Sequence, residues 1–414
     1  MVKQRECEQL RTEQVIDESQ PGTVVRDFET LLDFLKDGVR TTGKYHLIPM
    51  SQLFDLDERM SKPLRPNNQR PQQKSFPHIN ALYMLLRATE LGVPRGQGKR
   101  TGRLELDESV LAQWRKLNNT EKYFTLLEAW LRRCVWEVAG LSSRSGGDFV
   151  YFDAFGLWAS GCNATRNETA KLAWLEYLTR GVKHLCNLAF FELFGMMEVF
   201  GEKPNDSQTW SFNDACLTRW GTEILPILFD DKRFEPMSGS QLHFEFGAWQ
   251  QFFQPSFPQW VNNLELPEFS FREGAHFFKV SLGEPWRRIA IPATADLDEL
   301  AWAIIKSFDF DGDHLYAFCL KSPDGRTIFV EHPMCDGEIF TDAMAVGALP
   351  LGIRQQMEFL YDFGAGWWFD VTLERVEPEA KDITKAIVVE TKGKAPPEYE
   401  FDDEDDYEFG DEDE

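Results

Sequence analysis

The spacing of apolar residues divides the chain into a helical first part and a strand-rich last part. Up to about residue 230, apolar side chains recur three or four positions apart, the period of a helix with one buried face. Helices are predicted on this basis at residues 26–38, 77–91, 107–117, 123–139, 172–199 and 215–229. Beyond residue 272 the period shortens to two, which predicts strands. We therefore expect two regions of different architecture.

The last third combines several strands with one clear helix. Phe278, Val280 and Leu282 alternate with polar residues, and Ile289 and Ile291 repeat the pattern. Apolar residues over 297–308 share one helical face, and the preceding Asp296 is a suitable N-cap. Further strands are predicted at residues 315–320, 327–330, 356–361 and 368–376. The fold class predicted is α+β: a mainly α-helical N-terminal region, then an antiparallel or mixed β-sheet domain with a packed helix.

Shifts in composition suggest where the regions begin and end. The chain becomes rich in aromatic residues and proline after Gln241, and we place a linker at residues 264–272. We expect a mainly helical region at residues 1–263, an α+β domain at 273–400 and a disordered acidic tail at 401–414. From Pro397 to Glu414, 12 of the 18 residues are Asp or Glu, so repulsion opposes folding there.

Composition narrows the class of protein. The 414 residues are 43% hydrophobic and carry a net charge of -24, which fits a globular protein and argues against a general nucleic-acid coat. The seven cysteines are scattered and show no C-x-x-C spacing, which is typical of reduced thiols in a cytoplasmic protein. The polar start contains no signal sequence, and no apolar run is long enough to span a bilayer. We expect no membrane association.

One basic segment stands out in this acidic chain. Between Arg59 and Arg103 there are ten lysine or arginine residues and a single acid, Glu90. A helix, a glycine-rich basic loop, a short strand and a second helix follow one another, an order similar to a winged-helix-like part at residues 75–120. The basic candidates for nucleic-acid binding are Arg95, Lys99, Arg100 and Arg103. Two alternatives remain open: a solvated basic face, or a docking site for the chain's own acidic tail.

Several motifs in fixed order between residues 278 and 399 point to a family. They are a strand with Lys279 and Val280, the Trp-Arg-Arg-Ile run of residues 286–289, Asp313-His314-Leu315-Tyr316, Tyr361-Asp362-Phe363-Gly364, and the Lys-Ala-Pro-Pro run of residues 394–397. This third of the chain resembles the plasmid pRiA4b ORF-3-like family. The resemblance implies the α+β domain and a setting near mobile elements. It implies no established activity.

Three positions depart from the pattern of that family. Tyr316 and Phe369 stand where the family has histidines, and Ala365 stands where it has an aspartate. Asp313, His314 and Asp362 remain as candidate catalytic residues, because histidine and carboxylate side chains transfer protons. The competing interpretation is a glycine-bracketed turn with Trp367 packed beneath it.

No metal site or cofactor is predicted. Asp309, Asp311 and Asp313 have the spacing of a calcium loop, but the glycine falls at position four of the loop and Leu320 stands where a glutamate is needed. The leading hypothesis is a non-enzymatic interaction or DNA-associated protein linked to mobile elements, with a protein partner also open. The alternative is a hydrolase or nuclease-like enzyme that uses Asp313, His314 and Asp362.

Overall fold

The computed structural model describes most of the chain in thirteen stretches. They are residues 15–43, 45–66, 70–95, 101–141, 150–164, 168–179, 181–201, 210–231, 234, 244–267, 270–322, 324–380 and 382–398. Lys99, Arg100 and the predicted tail at 401–414 lie outside them. The chain forms two compact units: Met1–Glu268 with Ser322–Arg326, and Phe269–Lys321 with Thr327–Glu414. We call them the helical unit and the sheet unit.

The helical unit contains ten α-helices among its described residues. They are α1 Val24–Phe34, α2 Met50–Arg59, α3 Pro77–Ala88, α4 Glu108–Trp114, α5 Asn119–Glu128, α6 Val150–Ala164, α7 Glu168–Thr179, α8 Val182–Leu193, α9 Arg219–Asp230 and α10 Gln250–Phe253. Its strands are β1 Val39–Thr42, β2 Gly92–Arg95, β3 Thr101–Leu106, β4 Met197–Phe200 and β5 Asp214–Leu217. Strands β1, β3 and β2 form a three-stranded antiparallel sheet in that order, while β4 pairs with β5. No helix among the described residues is long and apolar enough to cross a membrane.

Two long helices predicted from the sequence are interrupted. The segment predicted as a helix over 172–199 forms α7 and α8, separated at Gly181, whose backbone is extended, and ends in strand β4. The segment over 123–139 leaves α-helical geometry after Glu128, continues as a π-helical turn to Arg133 and turns extended at Cys134. The apolar periodicity alone did not predict these breaks in the helices, because buried residues continue through each break.

Helix α5 anchors the aromatic segment near residues 244–264. Two buried glutamates lie seven positions apart on this helix and accept hydrogen bonds from that segment's backbone. Glu128 accepts from the N–H groups of Gly247 and Trp249 at 2.6 and 2.8 Å, and Glu121 accepts from Val261 at 3.0 Å. These bonds satisfy backbone donors that burial would otherwise leave without partners.

The sheet unit is a seven-stranded antiparallel sheet with one packed helix, as the sequence predicts. Its strands are β6 Ala275–Ser281, β7 Trp286–Pro292, β8 Tyr316–Lys321, β9 Thr327–Glu331, β10 Gln356–Tyr361, β11 Trp367–Glu377 and β12 Ile387–Lys392. They are ordered β12-β7-β6-β11-β10-β8-β9, and every pair of neighbours is antiparallel. Helix α11 (Leu297–Ser307) packs against β7 and β12. Strand β12 was not predicted.

Alternation along these strands separates a core face from an outward face. Phe318, Phe359 and Phe369 lie opposite one another across β8, β10 and β11, and each is at most 1% exposed. The outward face contains neighbours such as Glu358 and Trp368, which are exposed. This is the pattern of an antiparallel sheet that is packed on one side only.

Candidate functional site

Asp313, His314 and Asp362 meet at one end of the sheet. Asp313 and His314 lie just before β8 and Asp362 follows β10, and the pairing of Tyr316 with Tyr361 brings the two strand ends together. His314 Nε2 lies 3.5 Å from Asp313 Oδ1 and 3.7 Å from Asp362 Oδ2. We call these three residues the Asp–His corner.

Asp362 holds the turn that carries it. Its φ of 56° is in the left-handed region, which few residues other than glycine adopt. Its Oδ1 accepts hydrogen bonds from the backbone N–H groups of Gly364 and Ala365 at 2.8 and 3.2 Å. Because Oδ1 is occupied in this way, Oδ2 is the atom that faces His314. The carboxylate therefore has a structural role in the turn as well as a position beside the histidine.

Tyr361 and Glu398 extend the polar contacts beyond the corner. The Tyr361 hydroxyl accepts a hydrogen bond from the Gly312 N–H at 3.0 Å and donates to Asp313 Oδ1 at 3.3 Å. The Asp311 N–H donates to Glu398 Oε2 at 2.6 Å. Burial, together with the Glu398 carboxylate, raises the pKa of Tyr361 above its ordinary value, so this phenol stays protonated near neutral pH.

Tyr316 and Phe369, two of the departures from the family pattern, lie in the core. Both are 1% exposed, and their rings flank Phe359 at centroid distances of 5.8 and 5.7 Å. The Tyr316 hydroxyl donates to Asp298 on α11. Aromatic packing thus fills the positions at which the family has histidines.

The Asp–His corner has the groups for proton transfer. The His314 side chain is 41% exposed, whereas that of Asp362 is 11% exposed and can orient the imidazole. No group of three or more His, Cys, Asp or Glu side chains suited to a metal ion occurs among the residues that the structure describes. A cleft of about 590 Å³, lined in part by Glu273, Ala293 and Glu379, opens near the far end of β11, away from the corner.

Three arginines lie side by side on the small sheet of the helical unit. Arg103 of β3 is directly opposite Arg40 of β1 and also directly opposite Arg95 of β2. All three side chains are exposed. Arg95 and Arg103 were predicted from the basic segment of the sequence, but Arg40 was not. Strand β1 has only four residues, and only its pairing with β3 shows that Arg40 lies beside Arg103. We call these residues the arginine row.

Carboxylates lie beside two members of the arginine row. Arg95 is 3.8 Å from Asp107, and Arg103 is 3.3 Å from Glu105 and also donates to the carbonyl of Asp37. Arg40 forms no ion pair with any described residue. Exposed ion pairs of this kind contribute little free energy, because water screens them and long side chains lose freedom in forming them.

Helix α3 is the first of the two helices in the predicted winged-helix-like part. All twelve of its residues are buried, including the polar His78, Asn80 and Arg87. It packs against α1 and α8. A helix without an exposed face cannot contact base edges, so among the described residues of this part the exposed basic groups lie on the strands and after α4, at Arg115 and Lys116.

Comparison with known proteins identifies the sheet unit but not its activity. No curated protein matches the chain. A solved protein of unknown function from Methanosarcina mazei Go1 is 24% identical, over 31% of this chain and 74% of its own, with a TM-score of 0.28. Residues 279–408 match the family model described as "Plasmid pRiA4b ORF-3-like protein". The resemblance expected from the motifs is therefore confirmed: the C-terminal third of the chain matches the plasmid pRiA4b ORF-3-like family.

Proposed function

We propose that the protein is a non-enzymatic, DNA-associated protein whose helical unit binds the phosphate backbone through the arginine row. The observation that carries this proposal is the direct opposition of Arg40, Arg103 and Arg95 across three strands. Like charges that face each other across a sheet destabilise it. Their cost is offset when phosphates bind between them.

The spacing of the arginine row suits a nucleic-acid backbone. Neighbouring strands are about 4.8 Å apart, so the three side chains start within about 10 Å of one another. Duplex DNA has one negative charge for about every 1.7 Å of its axis, so a row of this length meets several phosphates. Phosphates can also displace Asp107 from Arg95 and Glu105 from Arg103 at a small cost in free energy, because these two ion pairs are exposed to water.

The outward positions of the same strands favour contact with the backbone rather than with bases. Besides the arginines, the described side chains at these positions are Thr42, Val93 and Glu105, and none of them is aromatic. Proteins that bind single strands stack bases on aromatic side chains. With α3 buried as well, we expect binding to duplex DNA that does not depend on its sequence. The mobile-element setting implied by the family is compatible with such a role.

The test measures affinity for a fluorescent 25-base-pair duplex at several salt concentrations. We expect Arg40→Glu with Arg103→Glu to weaken binding at least about tenfold and to lower the slope of log affinity against log salt by about 2. The matched control reverses two exposed arginines elsewhere on the helical unit, Arg115→Glu with Arg219→Glu. No binding at low salt, or equal losses in the two double variants, would exclude the proposal.

The second candidate function is proton-transfer chemistry, such as phosphodiester hydrolysis, at the Asp–His corner. It is favoured by the placement of His314 within 4 Å of both carboxylates. His314 would then activate a water molecule as a general base, and Asp362 would orient the His314 imidazole. With bis(p-nitrophenyl) phosphate as the probe, His314→Gln should abolish turnover and Asp313→Asn should change its pH profile. Turnover that survives in His314→Gln would eliminate this candidate.

A further inference from the structure

The outward face of the sheet unit has an unusual composition over strands β8–β11. In one row across the strands, Trp368 lies opposite Leu360, and Ala317 lies opposite both Leu360 and Glu331. In the next row Asp370 lies opposite Glu358, which is opposite Cys319, which is opposite Phe329. Neither row contains a lysine or an arginine on these four strands. We call Phe329, Glu331, Glu358, Leu360, Trp368 and Asp370 the acidic aromatic face.

Two aromatic side chains of this face are open to solvent. Trp368 is 49% exposed and Phe329 is 44% exposed, although both belong to regular strands. Exposed tryptophan and phenylalanine are enriched where proteins bind one another, because they bury much apolar surface at a small loss of side-chain freedom. Leu360 lies between their strands and is half-buried, so apolar surface continues across the face.

The carboxylates of the face are placed at a cost to the isolated sheet. Glu358 and Asp370 are directly opposite each other on β10 and β11, an arrangement that repels. Glu358 is exposed and forms no ion pair with any residue that the structure describes. A positive group from a partner would lie favourably beside the exposed Glu358 carboxylate.

We propose that the acidic aromatic face is a docking surface for a segment of a partner protein that carries basic and apolar side chains. The apolar side chains of the segment cover Trp368, Leu360 and Phe329, and its lysine or arginine residues lie against Glu358, Asp370 and Glu331. Charge complementarity selects this occupant over an acidic or neutral one. The surface belongs to the sheet unit, and none of its residues belongs to the arginine row or to the Asp–His corner.

The test measures binding of two labelled 18-residue amphipathic peptides to the full chain by fluorescence anisotropy. One peptide is built of leucine and lysine, and the other of leucine and glutamate in the same order. We expect only the lysine peptide to bind. Glu358→Lys should weaken its binding at least about tenfold, and Trp368→Ser with Phe329→Ser should do the same while circular dichroism shows the fold intact.

The control separates this face from the general negative charge of the protein. Asp33→Lys makes the same change of charge at an exposed site on the helical unit and should leave binding within about twofold. Equal losses in Asp33→Lys and Glu358→Lys would overturn the proposal. So would sedimentation showing a dimer that Trp368→Ser with Phe329→Ser dissolves, because the occupant would then be a second copy of the chain.

Discussion

At the scale of single residues, two carboxylates show how burial decides what a side chain does. Asp362 uses one oxygen to hold a turn and turns the other toward His314. Glu128 is fully buried, and burial raises its pKa to about 7 even though Arg132 and two backbone N–H groups favour its charged form. The same chemical group therefore acts as a turn cap in one unit and, in the other, as a buried anchor that is about half protonated near neutral pH.

His276 is a buried histidine on β6 for which a change of pH has a predictable consequence. Burial, assisted by the nearby charge of Arg272, lowers its pKa to about 4 from 6.5. Between these values the unfolded chain binds a proton that the folded chain does not, so stability is full above about pH 6.5 and falls as pH drops toward 4. The total effect is about 3 kcal/mol, since each pKa unit corresponds to about 1.4 kcal/mol.

We expect His276→Leu to remove this part of the acid sensitivity. Urea unfolding of wild type and variant at pH 7.5 and pH 4.5 measures it, and the variant should lose less stability on acidification. Phe278→Leu, two positions along the same strand, controls for a change of core packing without a titrating group. If His276→Leu and wild type lose the same free energy between the two pH values, the histidine is not responsible.

At the scale of elements, helix ends follow the local sequence closely. Asp296 Oδ1 accepts a hydrogen bond from the Glu299 N–H at 2.8 Å, so the predicted N-cap of α11 is confirmed. The reciprocal bond of a capping box is absent from α11, because the Glu299 side chain accepts instead from the Ala386 N–H at 2.6 Å. The Asp296 cap, a local feature of the sequence, sets the start of the helix. The Glu299 carboxylate is used instead by Ala386, a residue far along the chain.

The cap of α11 should be measurable on its own. We expect Asp296→Ala to lower the free energy of unfolding of the sheet unit by about 1 kcal/mol, because one backbone donor of the first turn loses its partner. Thr23→Ala is the matched control: Thr23 stands at the N-cap of α1 but makes no side-chain cap hydrogen bond there. Chemical denaturation of the two variants should show a loss for Asp296→Ala that is clearly larger than for Thr23→Ala.

Short strands show the limit of prediction at this scale. Strands β1, β2, β4 and β5 have four residues each and were not predicted, because two alternations carry little periodic information. Strands β8, β9, β10 and β11 were predicted to within one residue of their observed bounds, whereas β6 and β7 begin three residues before the residues that predicted them. For β1 the partner strand β3 also lies far along the chain, and only the folded chain supplies that pairing.

At the scale of the whole molecule, a segment far along the chain completes the helical unit. Residues Ser322–Arg326 belong to that unit although they lie between β8 and β9. Asp324 is 1% exposed, and Arg133 and Arg326 lie 3.0 and 2.6 Å from its carboxylate. Burial alone would raise its pKa, but these two guanidinium groups hold it at about 2. The Asp324 carboxylate is therefore charged at neutral pH, and its stability in the interior depends on both arginines.

Loss of the Asp324 carboxylate should therefore destabilise the helical unit. We expect Asp324→Ala to lower its free energy of unfolding by about 3 kcal/mol, because Arg133 and Arg326 lose a buried partner. Hydrogen exchange should report reduced protection in α3 and around Arg133. Asp55→Ala, which removes the exposed ion pair of Asp55 with Arg59, is the control and should cost about 0.5 kcal/mol or less. Equal effects would show that the Asp324 network contributes no more than a surface pair.

The sequence by itself determined the class of each region, six of the seven strands and the helix of the sheet unit, and the family resemblance of the last third, because period, caps and motif order are local properties of the chain. Only the tertiary structure decided the rest. Strand register placed His314 within 4 Å of both Asp313 and Asp362 and aligned Arg40 with Arg103 and Arg95. Packing buried α3, one of the two helices of the predicted winged-helix-like part. Register and packing depend on contacts between residues far apart in the chain, and no local pattern records them.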